Sequence, residues 1–405
     1  MKRTVTFLIV VCMLVLSLSS AFAVSVNDKV DNSQTVVNLL VDSINKGDWK
    51  TYVDLQANIN REGIQGFIND ADNAKNGLGI FNVKSAKIKE MKALSDDVVA
   101  QLTNLSQYKQ QYNEVQAYLV GIDYRVKKEN KYFFNGVNYI LVVLGKEADN
   151  WKVIEMSDAP LEILIPAGYG FGSEDEKEAL KIIKARINGD IVNKEGKLIE
   201  SNKASYRGIQ IEKGINSADI QEAPMGVLST GDHVRPDYIR VYHDRSSSDP
   251  NYHKTISTDF YYYVKNVLPN EWYSTWPSES LKAGAMAVKM YGWYHVYHPK
   301  WPSLNADVKD TTADQVFIDN TEVSSTTTAI NNVGGVELEN SSGAVFETQY
   351  LAGTQGQPGT QSSGKMSQWG TKYWADQGTK TYIQMCHYYY DNSDKSSGAI
   401  ATFSY

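Results

Sequence analysis

Cysteine is almost missing from this 405-residue chain, which has Cys12 and Cys386 and no others. Cys12 lies inside the opening "MKRTVTFLIVVCMLVLSLSSAFA", which has two basic residues, an apolar run too short for a good anchor, and a small-x-small ending at Ala23. That is the pattern of a secretory leader, and it predicts cleavage after Ala23. Cys386 is then alone, so an intrachain disulfide is excluded although an exported protein would tolerate one.

Net positive charge is lacking too. The chain stands at -7, and removing Lys2 and Arg3 with the leader takes it to -9. Such a balance excludes nucleic acid as a partner and adhesion to an anionic surface through bulk charge. Uncharged or zwitterionic polymers, peptides and proteins remain. No later apolar segment reaches bilayer-spanning length, so a secreted, soluble protein is expected, without a membrane span after cleavage. Histidine is scarce, and all six lie beyond residue 205 together with six of the eight tryptophans. That composition shift separates two regions, and a chain of this length with 42% hydrophobic residues has enough apolar side chains for two cores.

What is present in the first region reads as α+β. "SQTVVNLLVDSINKGDWKTYVDL" places Val36, Leu40 and Ile44 on one helical face, with Gly47 as a stop and a second short helix through Trp49, Tyr52 and Val53. The period then changes to two. Tyr118, Val120, Ile122, Tyr124 and Val126 alternate with polar or small residues, and "VNYILVVLG" and "WKVIEM" follow after turn residues. A curved antiparallel sheet wrapped on helices is expected over residues 24–165. This order resembles the cone-shaped α+β domains of the NTF2-like superfamily, a likeness of pattern that implies no activity. The Gly-rich, then acidic "PAGYGFGSEDEKEAL" opens a connection with a helical segment over 166–204, and a second domain is expected over 205–397.

That second region holds one conspicuous carboxylate. "VLPNEWYSTWPSESLKAGAMAV", residues 267–288, sets Glu271 in a turn just before a helix. The helix has Thr275 or a neighbour as cap, Pro277 in the first turn, Glu279 at the positive end of its dipole, and His298 before Pro299 at the far end. Leu281, Ala285 and Val288 give it an apolar face, and Ala283, Gly284, Ala287 and Gly292 permit close approach, so it is predicted to be central and buried. The neighbours of Glu271 are Val267, Leu268, Pro269 and Trp272. Burial against them disfavours the ionised form and raises the pKa toward what a general acid requires near neutrality. A lone Glu in a Pro-containing turn is otherwise a solvated surface residue.

Several motifs then recur in one order. "FYYYVKNVLPNEWYSTWPSESLKAGAMAVKMYGWYH", "TTADQVF", "AINNVGGVELENSSGAVFETQYLAGTQG" and "SGKMSQWGTKYWADQGTKTYIQMCHYYYDN" resemble the SpoIID/LytB domain over about residues 205 to 395. The family pattern has a "P-S-E-M" turn, a "W-P-x-E-A-L-K-A-Q-A" helix, an "S-Q-V-Y" strand, a hairpin and a "G-M-S-Q-W-G" signature. The resemblance implies a mixed α/β domain with a central helix and antiparallel strands, and an exported protein that acts on peptidoglycan. It implies a lytic transglycosylase that cleaves glycan strands stripped of stem peptides, with its acid at Glu271. One carboxyl suffices for that chemistry, because the sugar's own 6-hydroxyl replaces water and a second carboxylate at hydrolase spacing is not demanded. Glu279 then keeps its role at the helix start.

For the glycan groove, Trp272, Trp276, Trp369 and Tyr350 are candidates for sugar stacking, about two of them reaching the groove and the rest packing the core. Ser367 and Gln368, at the "M-S-Q" positions, and Gln315, in the "S-Q-V-Y" match, complete the expected substrate-binding set. No cofactor and no metal are expected. Lys309 and Asp314 stand where zinc-binding relatives have cysteines, and His295 and His298 are explained by a helix C-terminus. Cys386 and His387 are neighbours that diverge by roughly 100° on a helix, so a buried structural thiol is expected rather than a nucleophile with its base. Where the family has "G-H-G-V-G-M-S-Q", this chain has "QSSGKMSQ", with Ser362 at the histidine and Lys365 at a glycine; Gly284 replaces Gln and Lys289 replaces Arg. These departures set two alternatives beside the enzyme: a catalytically weak glycan-binding activator of a wall amidase, and a structural member of an assembly. In each, the N-terminal domain can contact other wall hydrolases or a sporulation assembly.

Overall fold

The structure, a computed structural model, describes residues 32–186, 190–201 and 235–404. The leader, Cys12 and the expected boundary at 205 lie outside the described residues. Helix α1 (Ser33–Lys46) is capped by the Asn32 side chain, buries Val36, Val37, Leu40, Val41 and Ile44, and stops at Gly47, whose φ of 62° suits a residue without a Cβ. Helices α2 (Trp49–Asp54), α3 (Asn58–Asn69) and α4 (Ala71–Asn76) follow. Strands β1 (Val83–Ala93), β2 (Val115–Val126), β3 (Gly136–Glu147) and β4 (Asn150–Asp158) form one antiparallel sheet in sequence order.

The alternation in β2 does specify two faces, but neither is wet. Tyr118, Val120, Ile122 and Tyr124 pack on the first helices, while Ala117 and Leu119 pack in a second core. That second core is closed by α5 (Asp96–Leu102), α6 (Leu105–Gln111), α7 (Leu161–Leu164) and α8 (Glu174–Arg186). Helix α8 was expected in a connection; its Ala179 is buried in this core, with Leu180 and Ile183 packed against it. A hairpin of β5 (Asp190–Val192) and β6 (Leu198–Ser201) comes next.

In the C-terminal body, β7 (Tyr238–Tyr242) pairs antiparallel with β8 (Thr255–Asp259) and parallel with β9 (Val308–Lys309). Helix α9 (Phe260–Glu271) leads to α10 (Ser278–Tyr297), which is buried along almost its whole length, as its small residues predicted. Pro277 is its N-cap and no side chain caps it, so Thr275 does not play that part; Glu279 instead accepts from Tyr382 N–H at 2.7 Å. Around α10 lie α11 (Ser324–Asn332), α12 (Gln368–Asp376) and α13 (Tyr382–Tyr390). Strand β10 (Val336–Glu339) pairs with β13 (Ala401–Ser404), which carries this body past residue 397, and β11 (Gln349–Leu351) pairs parallel with β12 (Lys365–Ser367). Among the described residues no helix is long and apolar enough to cross a membrane.

The two bodies share a continuous interface. Tyr242 and Trp301 pack into the first core, Tyr242 OH donates to Gly63 O at 2.5 Å, and Asp158 N–H donates to Pro299 O at 3.0 Å. A Cβ at Gly63 or Gly66 would collide with Asp244 or His253, so these glycines let α3 approach the second body.

Candidate active site

Glu271 is the last residue of α9 and not a turn residue. The helix runs through Pro269, which lacks an N–H donor, and closes when Trp272 N–H donates to Leu268 O at 2.8 Å. This geometry turns the Glu271 carboxyl inward. Its Oε1 accepts from the Val316 backbone N–H at 2.7 Å and its Oε2 from the Gln368 amide at 3.3 Å, and the Tyr350 hydroxyl also bonds it. Burial raises its pKa above the ordinary 4.5, against the opposing pull of the Val316, Tyr350 and Gln368 donors. Among the described residues no basic side chain pairs with it.

The donors are themselves positioned. Strands β11 and β12 pair Tyr350 with Met366 in register, which brings the tyrosine and Gln368, the first residue of α12, to the same carboxyl. Tyr350 OH accepts from the Gln315 amide at 3.2 Å, and Gln315 Oε1 accepts from Tyr263 OH at 2.9 Å. Residues 311–319 form a loop rather than the expected strand. The reason is local: the Val316 N–H that a neighbouring strand would engage goes to Glu271. The expected hairpin shrinks to one bridge between Glu339 and Val345, because β10 takes β13 as partner.

Each expected groove residue has a definite place. Trp272 is 1% exposed and belongs to the core: its Nε1–H donates to Thr371 Oγ1 at 3.1 Å, and its ring fills the space over Gly284, where a Cβ would lie 2.6 Å from it. A glycine at 284 and a tryptophan at 272 are thus one packing solution, and a longer side chain at 284 would clash. Gln315 is buried in the polar chain just described. Ser367 is also buried, and its hydroxyl caps α12 by accepting from Gly370 N–H at 2.9 Å. Gln368 and Tyr350 are the two that touch Glu271.

Trp369 is half-buried and leans on Trp276 at 4.8 Å between ring centroids, and Tyr273 packs on both at 5.2 and 6.0 Å. Tyr273 is 63% exposed, the most open ring of the three. Sequence reasoning missed it; the available signal was the aromatic spacing of "EWYSTW". A hollow of about 270 Å³ is lined by Trp369, Tyr373, Lys372 and Gln355. A second cleft, of about 90 Å³, runs along the domain junction, where Tyr350, Gln349 and Asp314 face Asn104, Gln107 and Tyr108 of the N-terminal body.

The residues weighed for other chemistry are occupied. Lys309 pairs with Asp244 at 2.9 Å, and Asp314 accepts from Lys300, Trp301, Tyr291 and Lys309 N–H. His295 Nε2 lies 3.2 Å from Glu347, and His298 Nε2 3.6 Å from Glu162. Cys386 is fully buried, with its thiol pushed up to about 12 by burial, while His387 pairs with Asp391 at 3.0 Å. Lys289 is buried and donates to the Val333 and Val336 carbonyls, so it caps backbone in the core. Ser362 adopts φ 53° and donates its N–H to Tyr388 O at 2.9 Å; the carboxyl of Glu271 is held by Val316, Tyr350 and Gln368.

Comparison with known proteins adds to this geometry. A segment of the chain is similar to an uncharacterized protein of Brachyspira hyodysenteriae, 46% identical over 55 residues, and the alignment spans 14% of this chain and 15% of that relative. Residues 248–350, which include Glu271, Gln315, Val316 and Tyr350, match the SpoIID family, described as Stage II sporulation protein. That match supports a likeness to the SpoIID family over this part of the chain, a family associated with peptidoglycan lytic activity.

Proposed function

We propose that the protein is a secreted peptidoglycan lytic transglycosylase acting on glycan strands without stem peptides. The observation that carries the reading is the half-buried Glu271 carboxyl, biased toward its protonated form by burial and surrounded by neutral donors. Protonated Glu271 gives its proton to the glycosidic oxygen that leaves N-acetylmuramic acid as the C1–O bond breaks. Negative charge develops on the carboxylate at that moment, and the Val316 N–H, the Tyr350 hydroxyl and the Gln368 amide are in place to stabilise it. The carboxylate then removes the proton of the same sugar's 6-hydroxyl, whose oxygen bonds to C1 and closes the 1,6-anhydro ring. The enzyme ends in its starting protonation state and no water is consumed.

Saccharide stacking falls to Trp369 and Tyr273, the rings with open faces beside Gln368. The N-terminal body is read as an NTF2-like domain that meets other wall hydrolases or a sporulation assembly. Incubation with peptide-free glycan tests the reading: mass analysis should find ends lighter by one water than reducing ends. Glu271→Gln should lower their rate by about a hundredfold to ten-thousandfold. The second reading, a weak glycan-binding activator of an amidase, is favoured by Ser362 at the motif histidine, and predicts binding that survives Glu271→Gln with no new ends in either protein.

A further inference from the structure

On the side of the C-terminal body where β7 and β9 end, three side chains converge beside Asp310, and the proposed reaction uses none of the four. His243 follows β7 and is 2% exposed; its Nδ1 lies 2.8 Å from Asp249 Oδ2 and 3.9 Å from Asp310 Oδ2. One donor atom each of His243, Asp249 and Asp319 lies within 4.8 Å of the others. Hydrogen bonds within the group leave it incomplete. Asp310 Oδ1 accepts from Asp244 N–H at 2.7 Å, yet Asp310 Oδ2, buried and turned toward the His243 ring, has no hydrogen-bond partner among the described residues. The second ring nitrogen of His243 is buried and unpartnered in the same sense. An uncompensated buried carboxylate oxygen is costly and needs a positive partner.

Lys309 is engaged by Asp244, and the positive charges that face Asp249 and Asp310 come from the His243 ring and exposed Arg245. An imidazole nitrogen with carboxylate oxygens is a donor set of intermediate hardness, suited to first-row divalent ions rather than to a soft thiolate metal. Asp319 is exposed and gives the ion a path from solvent.

We propose that His243, Asp249 and Asp319 bind one divalent cation of the Mn2+ or Zn2+ class, with Asp310 facing the His243 ring as a further negative charge, and that the ion ties the turn after β7 to the loop 310–319. That loop carries the Val316 N–H, and Phe317 within it stands edge-on to His243 at 5.9 Å and stacks on Tyr263 at 5.4 Å. The site is independent of the reaction assigned to Glu271.

The test is titration of chelator-treated full-length protein with Mn2+, followed by loss of the free-ion paramagnetic resonance signal, with Zn2+ as competitor. One equivalent should bind saturably, Zn2+ should displace it, and the ion should raise the thermal midpoint. Asp319→Asn, at an exposed position that leaves the fold intact, should weaken binding by about tenfold or more, and Asp249→Asn likewise. Absence of saturable binding, or equal binding by wild type and Asp319→Asn, would overturn the site.

Discussion

Glu271 is half-buried and Glu347 buried in the C-terminal body, and their surroundings push their carboxyls in opposite directions. Burial raises both. At Glu347 the Lys395 ammonium at 2.7 Å, His295 at 3.2 Å and the Lys300 charge overcome it and hold the carboxyl far below the ordinary range. At Glu271 only neutral donors meet the carboxyl, and the burial contribution prevails. A carboxylate locked by cations is a structural anion at the domain junction, while one held by an amide, a phenol and a backbone N–H keeps a proton it can release.

The two sites also differ in how stability follows pH. A depressed carboxyl stabilises the fold above its unfolded pKa, and that contribution is lost as pH falls. A raised one binds its proton more tightly when folded, so stability declines as pH rises past the unfolded value near 4.5.

The largest expected effect comes from breaking the cationic side of the comparison. Lys395→Met leaves Glu347 buried without its nearest ammonium and should cost roughly 4 kcal/mol in denaturant unfolding; a change under about 1 kcal/mol would mean that the pair contributes as little as an exposed one. Next comes an attempt to make Glu271 resemble Glu347. Gln368→Lys sets an ammonium at the Oε2 position now served by an amide, and should lower formation of anhydro ends by about a hundredfold by depriving the acid of its proton.

Tyr350→Phe removes one donor. The rate should fall by about tenfold, and because that donor lowers the Glu271 pKa, the basic limb of the pH–rate profile should move upward. An unchanged limb would show that Tyr350 does not bond the reacting carboxyl. The smallest effect is on stability: Glu271→Gln should be stabilising relative to wild type at neutral pH, with the difference closing as pH falls below the ordinary carboxyl value. Paired thermal melts across that range measure it.

How much of this was legible in the sequence follows from what each contact is made of. Helix α1, from Val36 to its Gly47 stop, and the buried course of α10 were readable from periodicity and small residues. Glu271, Tyr350 and Gln368 were readable from motif order. Trp272 was misplaced in the groove because its burial depends on the missing side chain at Gly284, a partner twelve positions away on another helix. Val316 acts through a backbone N–H, which no residue type announces. Glu347 drew no notice because its cation, Lys395, is 48 residues distant and meets it only when β11 and the segment after α13 pack together. The helical cover of the second face of the N-terminal sheet was not legible for a similar reason, since its helices come from both before β2 and after β4.

The most direct test of the central claim is titration of the Glu271 carboxyl itself, by carbon-13 resonance of glutamate-labelled protein, assigned by difference from Glu271→Gln. A midpoint above 4.5 is the predicted result. A midpoint at or below that value would show that the neutral donors outweigh burial, leaving Glu271 an anion like Glu347 and unable to serve as the acid.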